Sequence, residues 1–190
     1  MRIATDLDGV IANQTLELIR RVEKDFGVKV VDPIDWDYEV LERKHSVTRE
    51  WIEKQFDDEW FWSKVPAFQK NIEQLRFWKA QGNEIHIVTS RPQKTLALVT
   101  RHWLKNHDVP FDFLSFQPLM HKVDYLKNND ISVMFEDMFF EANKIGSFGL
   151  TCFVLRQEWN ARYEARVTNP LVVYIDSMDE ADDFIGGKRG

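Results

Sequence analysis

Short apolar runs alternate with amphipathic stretches along most of the chain. RIAT (2–5), EIHIV (84–88), FLSF (113–116), ISVMF (131–135), LTCFVL (150–155) and LVVYI (171–175) are predicted as strands. Between them apolar residues recur every three or four positions, which predicts helices. One covers 14–26, with Leu18, Ile19, Val22 and Phe26 on one stripe and Gly27 as its stop. A second covers 69–80, burying Ile72, Leu75 and Phe77 or Trp78 and ending at Gly82. A third covers 93–106, with Leu96, Val99 and Trp103 aligned, and shorter ones cover 121–129 and 178–185. Nearly all-apolar strands separated by helices imply an α/β, doubly wound fold with a mainly parallel sheet covered on both faces.

The stretch 14–66 interrupts that alternation early. After its first helix it reads VKVVDPIDWDYEVLERKHS, too polar and punctuated for a core strand. A helix over 48–59, capped by Thr48, would bring Trp51, Ile52 and Phe56 together, and Pro66 closes the region. The expected organisation is therefore a core of residues 1–13 plus 67–190, with 14–66 inserted after the first strand as a small helical cap.

Composition narrows the function classes. Across 190 residues, 31 Asp and Glu outnumber 25 Lys and Arg, for a formal charge of −6. Such a balance argues against a nucleic acid polymer as partner, and leaves a small phosphorylated substrate open. Cys152 stands alone in FGLTCFVL, so neither a disulfide framework nor a thiolate zinc site is expected, only a buried inert thiol. No run approaches membrane-spanning length, and MRIATDLDGV lacks the apolar region of a signal peptide. The expectation is a cytoplasmic chain with no membrane partner.

In an open α/β sheet, ligands lie beyond the carboxyl ends of the strands. The strand exits carry Asp6 and Asp8, then Thr89, Ser90 and Arg91, then Glu136 and Asp137, with Lys122 at a helix start. Carboxylates converging from separate places suit Mg²⁺, which prefers hard oxygen ligands. Two carboxylates spaced as Asp6 and Asp8 can point the same way, the first as a nucleophile toward phosphorus and the second as a proton donor and acceptor. Asp-x-Asp-Gly is also common as a capping or turn pair, so this stretch alone leaves both readings open.

DLDGV at 6–10, the apolar strand ending in Thr89, Lys122, and Glu136-Asp137 after another apolar strand resemble, in order, the four motifs of the haloacid dehalogenase-like (HAD) phosphatases. DLDGVIAN (6–13), FWSKVPAFQKNIEQLRFWKAQGNEIHIVTSR (61–91), HKVDYLK and EWN are similar, more narrowly, to the 5′(3′)-deoxyribonucleotidases. The resemblance implies a Rossmann-like core, Asp6 as nucleophile and Asp8 as acid/base. It implies Mg²⁺ held by Asp6, the main-chain carbonyl of Asp8 and Asp137. Thr89 would bind phosphate, with Ser90 as a second contact, and Lys122 would neutralise the phosphate and Asp6. Glu136 stands where aspartate is usual; it could reach a metal-bound water or the lysine. Glu141 would orient a metal water or face solvent. Arg91 would contact phosphate or ribose, or pair with a carboxylate. A homodimer is also implied.

Four of the seven Trp fall between 36 and 62. Trp36, Tyr38, Trp51, Phe56, Trp60, Phe61 and Trp62 must partly form the cap's core, because so small an insertion buries too little alone. The remainder could stack on a base. Phe61, nearest the return to the core with Trp62, is the first choice for that contact, followed by Trp62 and Trp60. The histidines read as packed (His86) or as helix-surface and helix-terminal residues (His45, His102, His107, His121). The expected activity is a Mg²⁺-dependent phosphomonoesterase acting on nucleoside monophosphates. The alternatives are a phosphatase for a sugar phosphate or another small metabolite, and a non-catalytic phosphate-binding protein.

Overall fold

A computed structural model describes residues 1–31, 34 and 38–186; Trp36 lies outside the described residues. The first strand, β1 (Arg2–Thr5), is followed by α1 (Gln14–Phe26), α2 (Glu39–His45), α3 (Arg49–Asp57) and α4 (Glu59–Lys64). The chain then alternates through α5 (Gln69–Ala80), β2 (Glu84–Thr89), α6 (Gln93–Asn106), β3 (Phe113–Phe116), α7 (Lys122–Asn128) and β4 (Val133–Glu136). It finishes with α8 (Phe139–Ser147), β5 (Thr151–Leu155), a 3-10 turn (Ala161–Arg166), β6 (Val172–Ile175), a second 3-10 turn (Met178–Ala181) and α9 (Asp182–Ile185).

All six strands pair in parallel, in the order β3-β2-β1-β4-β5-β6. Strand direction of travel reverses at β1: the chain winds one way to β2 and β3, then crosses back to β4. That switch opens a crevice at the carboxyl ends of β1, β2 and β4. Side chains alternate between two cores, as a pleated strand requires. Ile3, Ile85, Ile87, Val133, Phe135 and Phe153 face one layer, while Ala4, Val88, Met134, Cys152 and Val154 face α7 and α8. Cys152 is fully buried there, as its apolar surroundings imply.

Local chemistry accounts for the elements that fell where the pattern placed them. Asn13 accepts from the Leu16 N–H at 3.0 Å and caps α1, and Gly27 ends it at φ 65, a left-handed position that costs glycine little. Three helices were not foreseen: α2, α8 and α4, of which only Glu59 falls within the stretch 48–59. In α2, within the stretch read as irregular, Leu41 is the one buried side chain and the helix starts from Tyr38 with no side-chain cap, so the sequence carries no start signal. In α8, which follows the second acidic pair, Met138 gives no cap and Gly146 sits inside the helix. A Cβ at Gly146 would fall 2.7 Å from Val172 Cγ2, so glycine is there to let the helix approach the sheet. The helix expected over 48–59 is broken at Asp58, whose φ −88 and ψ 113 are extended; its carboxylate caps α4 by accepting from the Trp60 N–H at 2.9 Å.

Entry to and exit from the four inserted helices run side by side. Ala12 bridges Ala67 antiparallel, and the Asn13 N–H donates to the Pro66 carbonyl at 2.7 Å. Leu18, Val22, Leu41, Ile52 and Phe61 of these helices belong to the same buried cluster as Ile3, Ile85 and Trp103. Trp103 ties the layers together: its indole N–H donates to the Val65 carbonyl at 2.7 Å in a buried bond. Trp103→Phe removes that donor and leaves the carbonyl unpaired, so urea unfolding should show a loss of about 1–3 kcal/mol. A variant as stable as the parent would mean that the bond holds nothing together.

Candidate active site

The backbone of Asp6 continues the sheet beyond β1, its N–H donating to the Phe135 carbonyl at 2.8 Å. Glu136 ends β4 and Asp137 follows it, so the two neighbouring strands deliver three carboxylates to one point. Oxygens of Asp6, Glu136 and Asp137 all lie within 4.8 Å of one another. Lys122, at the first position of α7, reaches in from beneath: its ammonium is 2.6 Å from Glu136 Oε1 and 3.0 Å from Asp6 Oδ1. The Lys122 and Glu136 side chains are each 1% exposed.

Burial dominates the titration of this group. It raises Asp6, with Lys122 opposing, and it raises Glu136 in the same way. Asp137 is driven well above the usual carboxylate range by burial and then by Asp6 and Glu136. Burial alone would lower the Lys122 ammonium, but Asp6 and Glu136 hold it above the ordinary lysine range. Three carboxylates against one ammonium leave two negative charges uncompensated, and Asp137 Oδ1 is buried without a hydrogen-bond partner. An all-oxygen donor set with that charge deficit and an orphaned oxygen can hold a hard divalent cation.

The side chains of Asp8 and Thr89 are both held by Arg91. The Asp8 side chain does not join the cluster. Its two oxygens accept from Arg91 Nε at 2.8 Å and Nη2 at 2.6 Å, a bidentate fork. Glu136 supplies the third carboxylate of the cluster. Arg91 thus pairs with a carboxylate, bonds Thr100 Oγ1 at 3.3 Å, and lies 4.3 Å from the Trp62 ring centre. Thr89 is fully buried, and its hydroxyl accepts from the Arg91 N–H at 3.2 Å, which braces the loop instead of facing the cavity. Ser90 does line the cavity, and its buried hydroxyl has no partner.

The turn after β1 depends on Gly9. Its φ is +78, and a Cβ there would fall inside the Asp137 carboxylate. Glu141, expected beside a metal water or in solvent, is fully buried in a bracing position. Its Oε2 accepts from the Met120 N–H at 2.5 Å, while Lys144, one turn along α8, donates to the Met120 carbonyl. Both main-chain groups of Met120 are thus held two residues before Lys122. His121 is exposed and stands apart from the cavity walls.

A cavity of about 420 Å³ opens over the acids. Other hollows, such as one of about 550 Å³ beside Lys70 and Phe77 and one of about 580 Å³ beside Trp60 and Leu98, do not include the clustered carboxylates. Asp6, Asp8, Ser90, Arg91, Lys122, Glu136 and Asp137 are among the polar lining residues of the cavity over the acids, and Tyr38, Phe56, Trp62, Leu119 and Met138 among its apolar ones. Phe61 is not a wall. It is fully buried, edge-on to Trp62 at 5.0 Å and to Phe56 at 5.4 Å, with Arg21 against its face. Trp60 turns outward and is 63% exposed, beneath Lys64. Trp51 packs on Phe26. Gln14, Asp57 and Leu119 line the cavity without having been singled out. Gln14 is a polar residue opening a helix just after the Asp6-to-Asn13 turn, and that position was the available signal.

Lys122→Met should destabilise the fold by about 3–5 kcal/mol, because it strands two buried carboxylates. Adding Glu136→Gln should recover part of that loss, giving a coupling above about 1 kcal/mol in a denaturant double-mutant cycle. Strictly additive losses would contradict the pairing.

No protein-family model and no curated protein matches the chain. Solved structures do. A HAD family hydrolase from Deinococcus radiodurans, with bound phosphate and sodium, superposes with a TM-score of 0.64 at 15% identity, over 97% of this chain and 95% of that one. A haloacid dehalogenase-like family protein from Streptococcus pneumoniae gives 0.63 at 13%, over 96% and 97%. Protein Tyrosine Kinase A of Mycobacterium tuberculosis gives 0.63 at 18%, over 97% of both. Similarity at these identities establishes the fold: a HAD-type α/β core carrying a helical cap.

Proposed function

We propose that the protein is a Mg²⁺-dependent phosphomonoesterase of the HAD type, and that its substrates are nucleoside monophosphates, 5′(3′)-deoxyribonucleotides foremost. The observation that carries the reading is the meeting, in one cavity, of the Asp6–Lys122–Glu136–Asp137 cluster with a wall of Tyr38, Phe56 and Trp62. The bound phosphate of the Deinococcus radiodurans hydrolase, on the same fold, supports a phosphate ligand. Mg²⁺ would be held by Asp6, the main-chain carbonyl of Asp8 and Asp137, with Glu136 in the same cluster, and would supply charge neutralisation for the phosphate.

Asp6 attacks phosphorus and forms an aspartyl-phosphate while the ester P–O bond breaks. Lys122 and the free hydroxyl of Ser90 bear on the charge of the transferring group. Asp8 passes a proton to the departing oxygen, then takes one from the water that releases inorganic phosphate and regenerates Asp6. Because both Asp8 oxygens are on Arg91, each proton transfer requires at least one of those bonds to open. The apolar wall receives the flat ring of the leaving nucleoside and excludes water.

A panel of deoxyribo- and ribonucleoside 5′- and 3′-monophosphates, run beside sugar phosphates, should show activity concentrated on the nucleotides. Phe56→Leu keeps apolar bulk but removes a flat face. It should raise KM for the preferred nucleotide by about 5-fold or more, from a stacking contribution of about 1–3 kcal/mol, and leave a sugar phosphate unaffected. Turnover confined to sugar phosphates would defeat the substrate assignment. Asp6→Asn should abolish turnover of every ester.

Metal use has its own check. The three clustered carboxylates have raised pKa values, so Mg²⁺ must displace protons to bind, and increasingly so at low pH. The Mg²⁺-induced rise in melting temperature should therefore be larger at pH 8 than at pH 6. Chelation should abolish activity and added Mg²⁺ restore it. Full activity in chelator would refute the metal assignment.

A further inference from the structure

The exit of β5 carries one acid, Glu158, yet it is the other three residues of Gln157–Asn160 that are bonded into the acidic site. The Trp159 indole N–H donates to Asp137 Oδ2 at 2.9 Å, with Trp159 only 7% exposed and Asp137 fully buried. Asn160, also fully buried, donates through Nδ2 to the Asp137 carbonyl at 2.8 Å and to the Leu155 carbonyl at 2.7 Å. Its Oδ1 accepts from the Gln157 N–H at 2.9 Å, and the Tyr174 hydroxyl donates to its carbonyl at 3.2 Å. Gln157 then crosses to the other acidic loop, donating to the Gly9 carbonyl at 3.2 Å.

We propose that this segment is a positioning clamp for the cation site, and that Trp159 selects which oxygen of Asp137 faces the cation. The proposal rests on the metal-dependent reading above. An ionised carboxylate has two equivalent oxygens and can turn about its own bond. An indole N–H is a donor only, held by a rigid ring, and cannot itself ligate a cation. Its bond to Oδ2 removes that oxygen from competition and leaves Oδ1, the buried oxygen without a partner, as the one presented. Asn160 fixes the main chain of the same residue, so neither the peptide nor the side chain of Asp137 is free to reorient.

The bond from Gln157 to Gly9 adds the second half of the site. Gly9 lies against the Asp137 carboxylate with no room for a Cβ, so one loop sets the spacing between the Asp6–Gly9 turn and Asp137. None of Gln157, Trp159 and Asn160 lines the substrate cavity. These are positioning residues: they order the ligand before the cation arrives, so less ordering is charged against binding.

The test uses the full chain without substrate. Trp159→Phe keeps a ring in place and deletes only the donor. Mg²⁺ titration by calorimetry should show its dissociation constant weakened about 10–100-fold, while the melting temperature in chelator moves by only a few degrees. A merely packing role would give the reverse: a lower melting temperature in chelator with Mg²⁺ affinity unchanged, which would overturn the clamp. Gln157→Ala gives an independent measurement, whether or not Trp159→Phe folds. At least a threefold weaker Mg²⁺ affinity is expected, and affinity equal to the parent's would count against the clamp. If the parent itself binds no Mg²⁺, the metal-dependent reading fails and the clamp with it. If the parent binds and Trp159→Phe binds equally well, only the clamp fails.

Discussion

A lysine buried between two carboxylates is the interaction on which the rest of the site depends. Lys122 and Glu136 have left water almost completely and Asp6 is 13% exposed, and the Coulombic attraction among them must offset the desolvation of all three. That balance is possible because each group comes from a rigid element: Asp6 from the end of β1, Glu136 from β4, and Lys122 from a helix start two residues after Met120, whose N–H and carbonyl are both held by α8. Asp137 then adds a charge that the lysine does not neutralise. The sheet therefore concentrates negative charge at its switch point beyond what its own cation compensates, and the proposed chemistry uses that surplus.

The cap is joined to this centre through Arg91. Its guanidinium holds Asp8 on one side and lies against Trp62 on the other, so an acid of the core and an aromatic of the cap share one partner. The inserted helices also share their hydrophobic cluster with the main sheet. What the cap contributes to the cavity is consequently an extension of core packing: Phe56 and Trp62 pack edge-on or tilted against Phe61 and each other, and Tyr38 against Phe56.

Much of this was legible in the residues. Alternating apolar strands and helical periods are local patterns, so the α/β class, three of the long helices and the acids at strand exits could be read directly. The sites that escaped are set by tertiary contact. Nothing local distinguishes a threonine hydroxyl that braces a loop from a serine hydroxyl that faces a cavity, and Thr89 and Ser90 are adjacent. Phe61 and Trp62 are adjacent too, and which one is interior follows from the angle at which α4 leaves Asp58. Arg91 was open between phosphate and carboxylate until Asp8 could be placed beside it. The β5 exit carries Glu158, but the residues bonded into the site are its uncharged neighbours Gln157, Trp159 and Asn160, which a search for charge passes over.

The break at Asp58 has a consequence for how this cap can vary. Successive residues on an α-helix point about 100° apart, and α4 places three aromatics in a row: Trp60 in solvent, Phe61 in the interior, Trp62 on the cavity. Adding or removing one residue ahead of them would turn the whole set by one step, exchanging an outward ring for an inward one without altering a single side chain. The length of the Asp57–Glu59 junction therefore acts as an indexing device. The cap can be remodelled by shifts of frame as readily as by substitution, and its aromatic content taken alone would show no sign that the pocket had changed.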